Sequence, residues 1–456
     1  MEVDGKEFAQ IRDATFDDLP NEILLTIFTK LDFPELLSAS VVCTRWNDVV
    51  FYFFSHRIAF RLHSFIVPLL SGTRSYRNVR ITGRYLYSPQ GQNENRLAAL
   101  AEGAWNLHLE LSEVRGGVLA RLLDKFSTLR SLSLRIMRYG NERSPQLFRR
   151  LIRGVLPALE SLTIVCLTFY CMELLAEVAP TLKSLNIKLL ARHRLKLYEC
   201  NLASLRTLTL SMDTRSMMYL YNLEEFPVDE LITFLSGLPN LSVLRLKLDH
   251  PEAFLHIYSL RNIVELSLGG LDPAAPKCSL DGISQMVNLK TLSITAQELQ
   301  VPSVFQPAMT VTSLTLHDLA TMDIKKLVRV FPSLTVFCVE TPRSLMFSEI
   351  RQIVVAWPAL QELSVRIERL SEEICDCFLK LSKLRKLTLH GFLLLLKSGP
   401  FEKIITMPSL KRLSLNDSAW GAYFNYLPAA CNRAYPCQLY LNGLHVNNVK
   451  CGGLGF

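Results

Sequence analysis

The residue types that do chemistry are present in this chain but scattered. Cys375-Asp-Cys377 is the tightest thiol pair, and it lacks the second half that a tetrahedral zinc site needs. No C-x-x-C occurs among the eleven cysteines. His108, His317 and His390 each stand alone on a strand-like segment, with no paired-histidine motif around them. The one glycine-rich stretch, Cys451-Gly-Gly-Leu-Gly-Phe456, has no helix after it to cradle a phosphate. No nucleophile elbow or kinase signature occurs. These patterns predict a chain without catalysis of its own and without a metal or other cofactor.

Cations are the remaining chemical signal. Lys188, Arg245 and Lys247 form one group; Arg366, Lys386, His390 and Arg412 form another, with Glu362 beside them. Arg245, Lys247, Arg366, Lys386, His390 and Arg412 together make a candidate site for an anionic segment, because lysine and arginine clusters suit phosphate and carboxylate. The competing reading is a solvated surface on a basic protein.

The chain has 456 residues, is 49% hydrophobic and carries a formal charge of +8. That is ample apolar material for a large core. The positive excess is spread out. The densest basic stretch, Arg143 to Arg153, reads as a solvated helix face rather than a phosphate-binding patch. This pattern argues against nucleic acid as a partner. The opening Met1-Glu-Val-Asp-Gly-Lys-Glu is polar and acidic, so no secretory signal is expected. The apolar runs Val49–Phe54 and Phe392–Leu396 are far shorter than the roughly 20 residues that span a bilayer. Unpaired cysteines such as Cys43 and Cys166 fit small buried side chains in a reducing compartment, so cytoplasm or nucleus is expected.

What must position these residues is a repeat. A leucine-x-x-leucine-x-leucine phrase recurs: Leu129-Arg-Ser-Leu132-Ser-Leu134, Leu159-Glu-Ser-Leu162-Thr-Ile164, Leu182-Lys-Ser-Leu185-Asn-Ile187, Leu205-Arg-Thr-Leu208-Thr-Leu210 and Leu241-Ser-Val-Leu244-Arg-Leu246. Copies centre on Leu266, Leu292, Leu314, Phe337, Leu363, Leu387, Leu413 and Leu439, and weaker ones on Val79 and Leu107. Most centres lie about 20–30 residues apart, the period of leucine-rich repeats. Pro157, Pro180, Pro239, Pro332, Pro358 and Pro408 each precede a phrase by two residues, where proline ends a helix and frees the chain for a strand. Each phrase predicts a short strand with its leucines inward, and stacked repeats would share one core. The chain resembles the leucine-rich-repeat family from about Tyr76 onward. The resemblance implies an arc with a concave parallel sheet and convex helices. The asparagine of some subclasses is mostly missing.

The longest interval, Leu208 to Leu244, contains Met212–Phe226, an aromatic and apolar segment. It reads either as a binding loop or as a loop folded back on the helices.

Ahead of the repeats, residues 16–50 predict three short helices. Pro20 suits a first turn. Ile23, Leu24, Ile27, Phe28 and Leu31 form a wide apolar face, Leu36 and Leu37 belong to a second helix, and Trp46, Val49, Val50 and Phe53 to a third. So small a module cannot hide that much apolar surface in itself. The surplus must cover the first repeat or meet a partner. Leu19-Pro20, Glu22-Ile23-Leu24, Ile27-Phe28, Leu31, Leu36 and Val42-Cys43-x-x-Trp46 resemble the F-box motif in order and spacing. That resemblance implies insertion into a Skp-type adaptor, which joins the F-box to cullin and RING subunits of a ubiquitin ligase. Carried over by position, it implies adaptor contact or support by Leu19, Pro20, Ile23, Ile27, Phe28, Leu31, Leu36, Val42 and Trp46.

The expected organisation is α/β: an N-terminal tail (1–15), an F-box (16–55), a linker or helical cap (56–75), a leucine-rich-repeat solenoid (76–445) and a C-terminal tail (446–456). The expected function is substrate recognition in a Skp–cullin–F-box ubiquitin ligase, with an unknown protein substrate held by the repeats. An adaptor-bound scaffold without degradation, or a repeat protein binding an anionic partner, are the alternatives.

Overall fold

The structure is a computed structural model. It describes residues 19–62, 76–85, 92–139, 145–165, 169–189, 197, 200–212, 228–247, 256–269, 277–302, 306–391, 403–416, 437–441 and 444–445. Most of Met212–Phe226, the N-terminal tail (1–15) and the C-terminal tail (446–456) lie outside the described residues. The chain divides into two compact units, Met1–Thr181 and Leu182–Phe456.

The first unit opens with helices α1 (Asn21–Phe28), α2 (Phe33–Ala39) and α3 (Thr44–Phe53). Local chemistry sets their starts. Pro20 occupies the N-cap of α1. At α2, the Glu35 backbone N–H donates to the Asp32 carboxylate at 2.9 Å, and the Asp32 N–H donates back to Glu35 at 2.8 Å. This reciprocal cap satisfies two N–H groups that a helix start otherwise leaves unpaired. Arg45 on α3 donates to the Leu19 carbonyl and, at 2.9 Å, to Asn21 Oδ1, tying the third helix to the start of the first.

Where a linker or helical cap was expected from residue 56, residues 59–62 instead form strand β1 (Ala59–Leu62). It pairs in parallel with β2 (Asn78–Tyr85), Phe60 opposite Val79 and Leu62 opposite Ile81. The alternation Phe60-Arg61-Leu62 meets the sheet period of two, so this short segment adds a strand beside the first repeat. The Asn78 amide fixes the junction. It donates to the His56 carbonyl at 2.8 Å and lies 3.2 Å from those of Ser55 and Ile58. Strands β3 (Asn106–Val114), β4 (Ser131–Tyr139) and β5 (Ser161–Val165) continue the sheet in parallel, with Val79, Leu107, Leu132 and Leu162 in one row. Helices α4 (Gln92–Glu102), α5 (Gly116–Asp124), α6 (Pro145–Ile152) and α7 (Phe169–Val178) alternate with the strands.

The second unit repeats the pattern. Strands β6 (Ser184–Leu189), β7 (Thr207–Met212), β8 (Val243–Lys247) and β9 (Glu265–Gly269) lead to a small parallel pair, β10 (Lys277–Ser279) with β12 (Glu298–Gln300). The main sheet resumes with β11 (Thr291–Thr295), β13 (Ser313–His317), β14 (Val336–Glu340), β15 (Glu362–Arg366), β16 (Lys386–His390), β17 (Arg412–Asn416) and β18 (Gln438–Leu441). β19 (Leu444–His445) folds back antiparallel. Helices α8 (Val228–Ser236), α9 (Ile324–Val330), α10 (Phe347–Ala356) and α11 (Glu372–Leu379) connect strands. The row of phrase centres runs Leu244, Leu266, Leu292, Leu314, Phe337, Leu363, Leu387, Leu413 and Leu439 in register.

Each predicted phrase is therefore a strand. Its second and fourth residues are buried and its first, third and fifth face outward, as in Glu362-Leu-Ser-Val-Arg366. Each fully buried leucine contributes about 1.5–3 kcal/mol relative to exposure, and no single repeat could bury its own. This is a leucine-rich-repeat solenoid fold behind an N-terminal helical module. The prolines end helices as expected: α9 stops at Val330 before Pro332, and α10 at Ala356 before Pro358. The Trp357 indole N–H donates to the Phe331 carbonyl at 2.7 Å, so this large side chain buries with its polar atom satisfied.

Candidate functional site

The three N-terminal helices split their apolar residues between two fates. Leu24, Phe28, Leu36, Val50 and Phe54 are buried. Phe28 centres this small core, its ring edge-on to Trp46 at 5.2 Å and to Phe54 at 6.4 Å. Phe51 turns toward the sheet, with its ring 5.4 Å from Tyr76. Eight large apolar side chains find no cover. Ile23 is 46% exposed and Ile27 41%, one turn apart on α1. Phe33 and Leu37 are one turn apart on α2, and Val41 (78%) and Val42 (62%) come just after it. Tyr52 and Phe53 close the set on α3. Eight of the seventeen large exposed hydrophobics among the described residues fall between Ile23 and Phe53. Scattered exposed hydrophobics are ordinary, but this concentration marks a surface built to be covered.

The residues expected to meet or shape an adaptor surface divide accordingly. Pro20, Ile23, Ile27 and Val42 are exposed; Leu19, Leu31 and Trp46 are half-buried. Phe28 and Leu36 are internal core, each at or below 1% exposure, and so can only support such a surface from within. Phe33, Leu37, Val41, Tyr52 and Phe53 are exposed as well and lie outside the set carried over from the motif. The spacing of Phe33 and Leu37, one turn apart, marks an apolar pair in the sequence without saying which side of α2 its neighbours cover.

The expected anion-binding residues lie on the outward face of the second unit's sheet. Arg366, Lys386, His390 and Arg412 do share three neighbouring strands, with Lys386 opposite Arg412 and Arg366 opposite His390. Each of the four meets a neighbour on or beside the sheet. Lys386 pairs with Glu362 at 3.0 Å. Arg412 donates to Ser414 at 3.2 Å and lies 3.9 Å over the Tyr440 ring. Arg366 reaches the Pro342 carbonyl at 3.4 Å. His390 Nε2 meets the Ser364 hydroxyl at 3.1 Å. Burial holds the His390 imidazole below its usual pKa; Glu340 pulls it up and Arg366 pushes it down. On β8, Arg245 forks onto Glu265, with Nε at 3.1 Å, while Lys247 is exposed.

The first unit carries a cluster that sequence patterns did not single out. Glu110 on β3 accepts from Arg80 at 2.9 Å and from Arg135 at 3.0 Å. The hydrogen bond from Arg80 leads the forces that hold this carboxyl below its usual range. His108 beside it bonds Ser133 at 3.0 Å. Burial, then Arg80, lowers its pKa.

Four of the thiols sit where burial favours the protonated form. Burial pushes Cys278, Cys338 and Cys437 up to about 11 and Cys375 to about 12. A thiol in that range is almost wholly protonated near neutral pH, unlike a nucleophile or a metal ligand. Among the described residues, no three histidine, cysteine or acidic side chains cluster as a metal site would require. No helix among them is long and apolar enough to cross a membrane.

Comparison with known proteins assigns the module. The family described as F-box-like matches residues 16–61, from the start of the helical module into β1. No curated protein matches the chain. Among solved structures, the chain is similar to that of the TLR13–ssRNA13 complex, at 18% identity and a TM-score of 0.39. The match covers 84% of this chain and 57% of that one, so this chain spans little more than half of its length. It is also similar to an internalin, InlF, from Listeria monocytogenes, at 14% identity and a TM-score of 0.28, covering 74% of this chain and 72% of the other.

Proposed function

We propose that this protein is the substrate-recognition subunit of a Skp–cullin–F-box ubiquitin ligase. The observation that carries the reading is the uncovered apolar face of Ile23, Ile27, Phe33, Leu37, Val41 and Val42, inside the segment matched by the F-box-like family. F-box domains generally bind Skp-type adaptors, and a desolvated apolar patch is what such an interface requires. The adaptor would link the chain to cullin and RING subunits. The repeats would hold a protein substrate on a rigid scaffold.

In this role the chain performs no catalysis. The ubiquitin-conjugating enzyme supplies the chemistry, and the receptor raises the effective concentration of the substrate lysine near the reactive thioester. Location in the cytoplasm or nucleus follows from the partners such a receptor needs.

Co-purification from cells tests the assignment. The full chain is expected to bring down a Skp-type adaptor with a cullin and a RING subunit. Recovery of the chain free of all three would overturn it.

A further inference from the structure

Three successive repeats of the second unit start their helices differently. α9 is capped by Asp323, whose carboxylate accepts the Lys326 N–H at 3.1 Å. α11 is capped by Ser371, whose hydroxyl accepts the Ile374 N–H at 3.4 Å. Between them, α10 has Met346 at its cap. A helix start favours serine, threonine, aspartate or asparagine, whose oxygen pairs an orphan N–H; a thioether is a weak acceptor. The next position departs as well. Ile324 opens α9 buried and Glu372 opens α11 exposed and charged. Phe347 opens α10 at 42% exposure, beside Met346 at 69%. Two adjacent positions thus break the local pattern of their neighbours, as residues kept for contact rather than for folding do.

The loop that displays this pair is fixed. The Arg343 guanidinium donates to both carboxylate oxygens of Glu349, at 3.0 and 2.6 Å, and through Nε to the Ala320 carbonyl at 3.1 Å. Glu349 also accepts the Met346 N–H at 2.8 Å. Leu345 is buried, bridges Ile367 and donates its N–H to the Arg366 carbonyl at 2.8 Å. The loop is tied to the repeat before it and to the repeat after it, so its apolar pair has little order left to lose on binding.

The surroundings set the charge of what can cover it. Residues 318–323, 341–349 and 367–373 hold six carboxylates and two guanidiniums, on a chain whose net charge is +8. Four of these acids face cations: Glu349 meets Arg343, Asp323 meets Lys326 at 3.6 Å, Glu372 meets Lys403 at 3.7 Å, and Glu373 feels Arg369. Asp318 and Glu368 are exposed and, among the described residues, have no ion pair. Asp318 follows β13 and Glu368 comes just after β15, one on either side of the Met346 loop. Two strand spacings put them roughly 10 Å apart.

We infer that Met346 and Phe347, flanked by Asp318 and Glu368, are a docking surface for an extended protein segment that presents apolar side chains between two lysines or arginines. Three residues of extended chain span roughly 10 Å, so the two cations fall at positions i and i+3 with the apolar pair between them. The apolar pair supplies the buried centre, and the flanking charges fix orientation and exclude wrong partners. Anionic lipid and nucleic acid are repelled by the same two carboxylates. The inference names a partner class for the repeats and rests on the receptor reading only for the fate of the bound segment.

The test uses the full chain and three immobilised peptide libraries, degenerate except for a fixed core of Lys-Leu-Phe-Lys, Glu-Leu-Phe-Glu or Lys-Ser-Ser-Lys, beside phosphatidylserine vesicles. Retention on the Lys-Leu-Phe-Lys library should exceed that on each of the other two at least tenfold. Bulk charge cannot produce that order, because a basic chain would favour the acidic core. M346S and F347S should each lose at least fivefold of the retention, and D318N/E368Q at least tenfold. M346S places a favoured cap residue at the helix start, so its thermal midpoint should hold or rise and its loss cannot come from unfolding. Asparagine at position 318 suits the positive φ found there. Equal retention on the three libraries, strongest retention on the acidic core or on vesicles, undiminished retention by the variants, or self-association that M346S abolishes would overturn the inference. An I23D variant that fails to bind adaptor yet keeps its peptide retention would separate failure of the receptor reading from failure of this one.

Discussion

Ile27 and Phe28 are adjacent in α1, yet Ile27 is 41% exposed while Phe28 is 1% exposed against the edge of the Trp46 ring. One side chain holds the module together and its neighbour is left for something else. The two positions should therefore give opposite phenotypes. Phe28→Ala should destabilise the first unit by about 3–5 kcal/mol, the usual cost of emptying an aromatic site in a core. Ile27→Ser should leave the thermal midpoint nearly unchanged. Thermal melts of the two variants, monitored by circular dichroism, check this; a collapse of Ile27→Ser with tolerance of Phe28→Ala would reverse the assignment.

The junction between module and repeats hangs on Asn78. Its amide serves carbonyls of the segment leaving α3 and, through its oxygen, accepts from Asn106 at 2.7 Å. Asn78→Ala should cost about 1–3 kcal/mol, because partly buried polar groups lose their partners at once. Hydrogen exchange should show the loss first in residues 55–62. Unchanged protection there would contradict the role given to this side chain.

Gly391 comes directly after β16 with φ at +121°, and a Cβ there would meet the Ile367 carbonyl oxygen at 2.3 Å. Neither the backbone angle nor the space admits a side chain. Gly391→Ala should lower stability by about 1–3 kcal/mol, the usual cost of forcing such a backbone, whereas Gly154→Ala, with nothing within 4 Å of its Cβ but φ at +70°, should cost less. Chemical denaturation of both variants reads the difference.

Burial lowers the pKa of His108 and of His390. In the unfolded chain both should titrate near about 6.5. Between that value and their lower folded values the unfolded state binds more protons, so stability falls as pH drops through this window. Melting should therefore weaken below about pH 6.5, and His390→Asn should blunt the second unit's share. A midpoint that stays level from about pH 7 to 5 would count against both groups.

The repeats are readable because a leucine phrase constrains a strand twice, by its alternation and by the need of each leucine for neighbours above and below. Even Val79 and Leu107, the weakest phrases, align with Leu132 in register. The split between Leu36 and Leu37, or between Ile27 and Phe28, is not readable. A wide apolar helix face does not say which stripe its partner helix covers, and for Phe28 the rings of Trp46 and Phe54, on or beside α3, decide it. The small β10–β12 pair leaves no trace either, since its three-residue strands lie outside the leucine phrase. The cations Arg366, Lys386, His390 and Arg412 do fall on neighbouring strands as their positions imply, but the pairing of Lys386 with Glu362 and of Arg245 with Glu265 is not written in the strand pattern.

The most direct measurement is the affinity of the full chain for a purified Skp-type adaptor, by isothermal titration calorimetry, beside Ile23→Asp and Val42→Asp. Each substitution puts a carboxylate on the exposed apolar face without touching the buried core. The account predicts binding by the parent chain with a negative heat-capacity change, as apolar burial requires, and a loss of at least tenfold in each variant while both keep the parent's melting midpoint. An adaptor affinity that is absent in the parent, or equal across the three proteins, would contradict it.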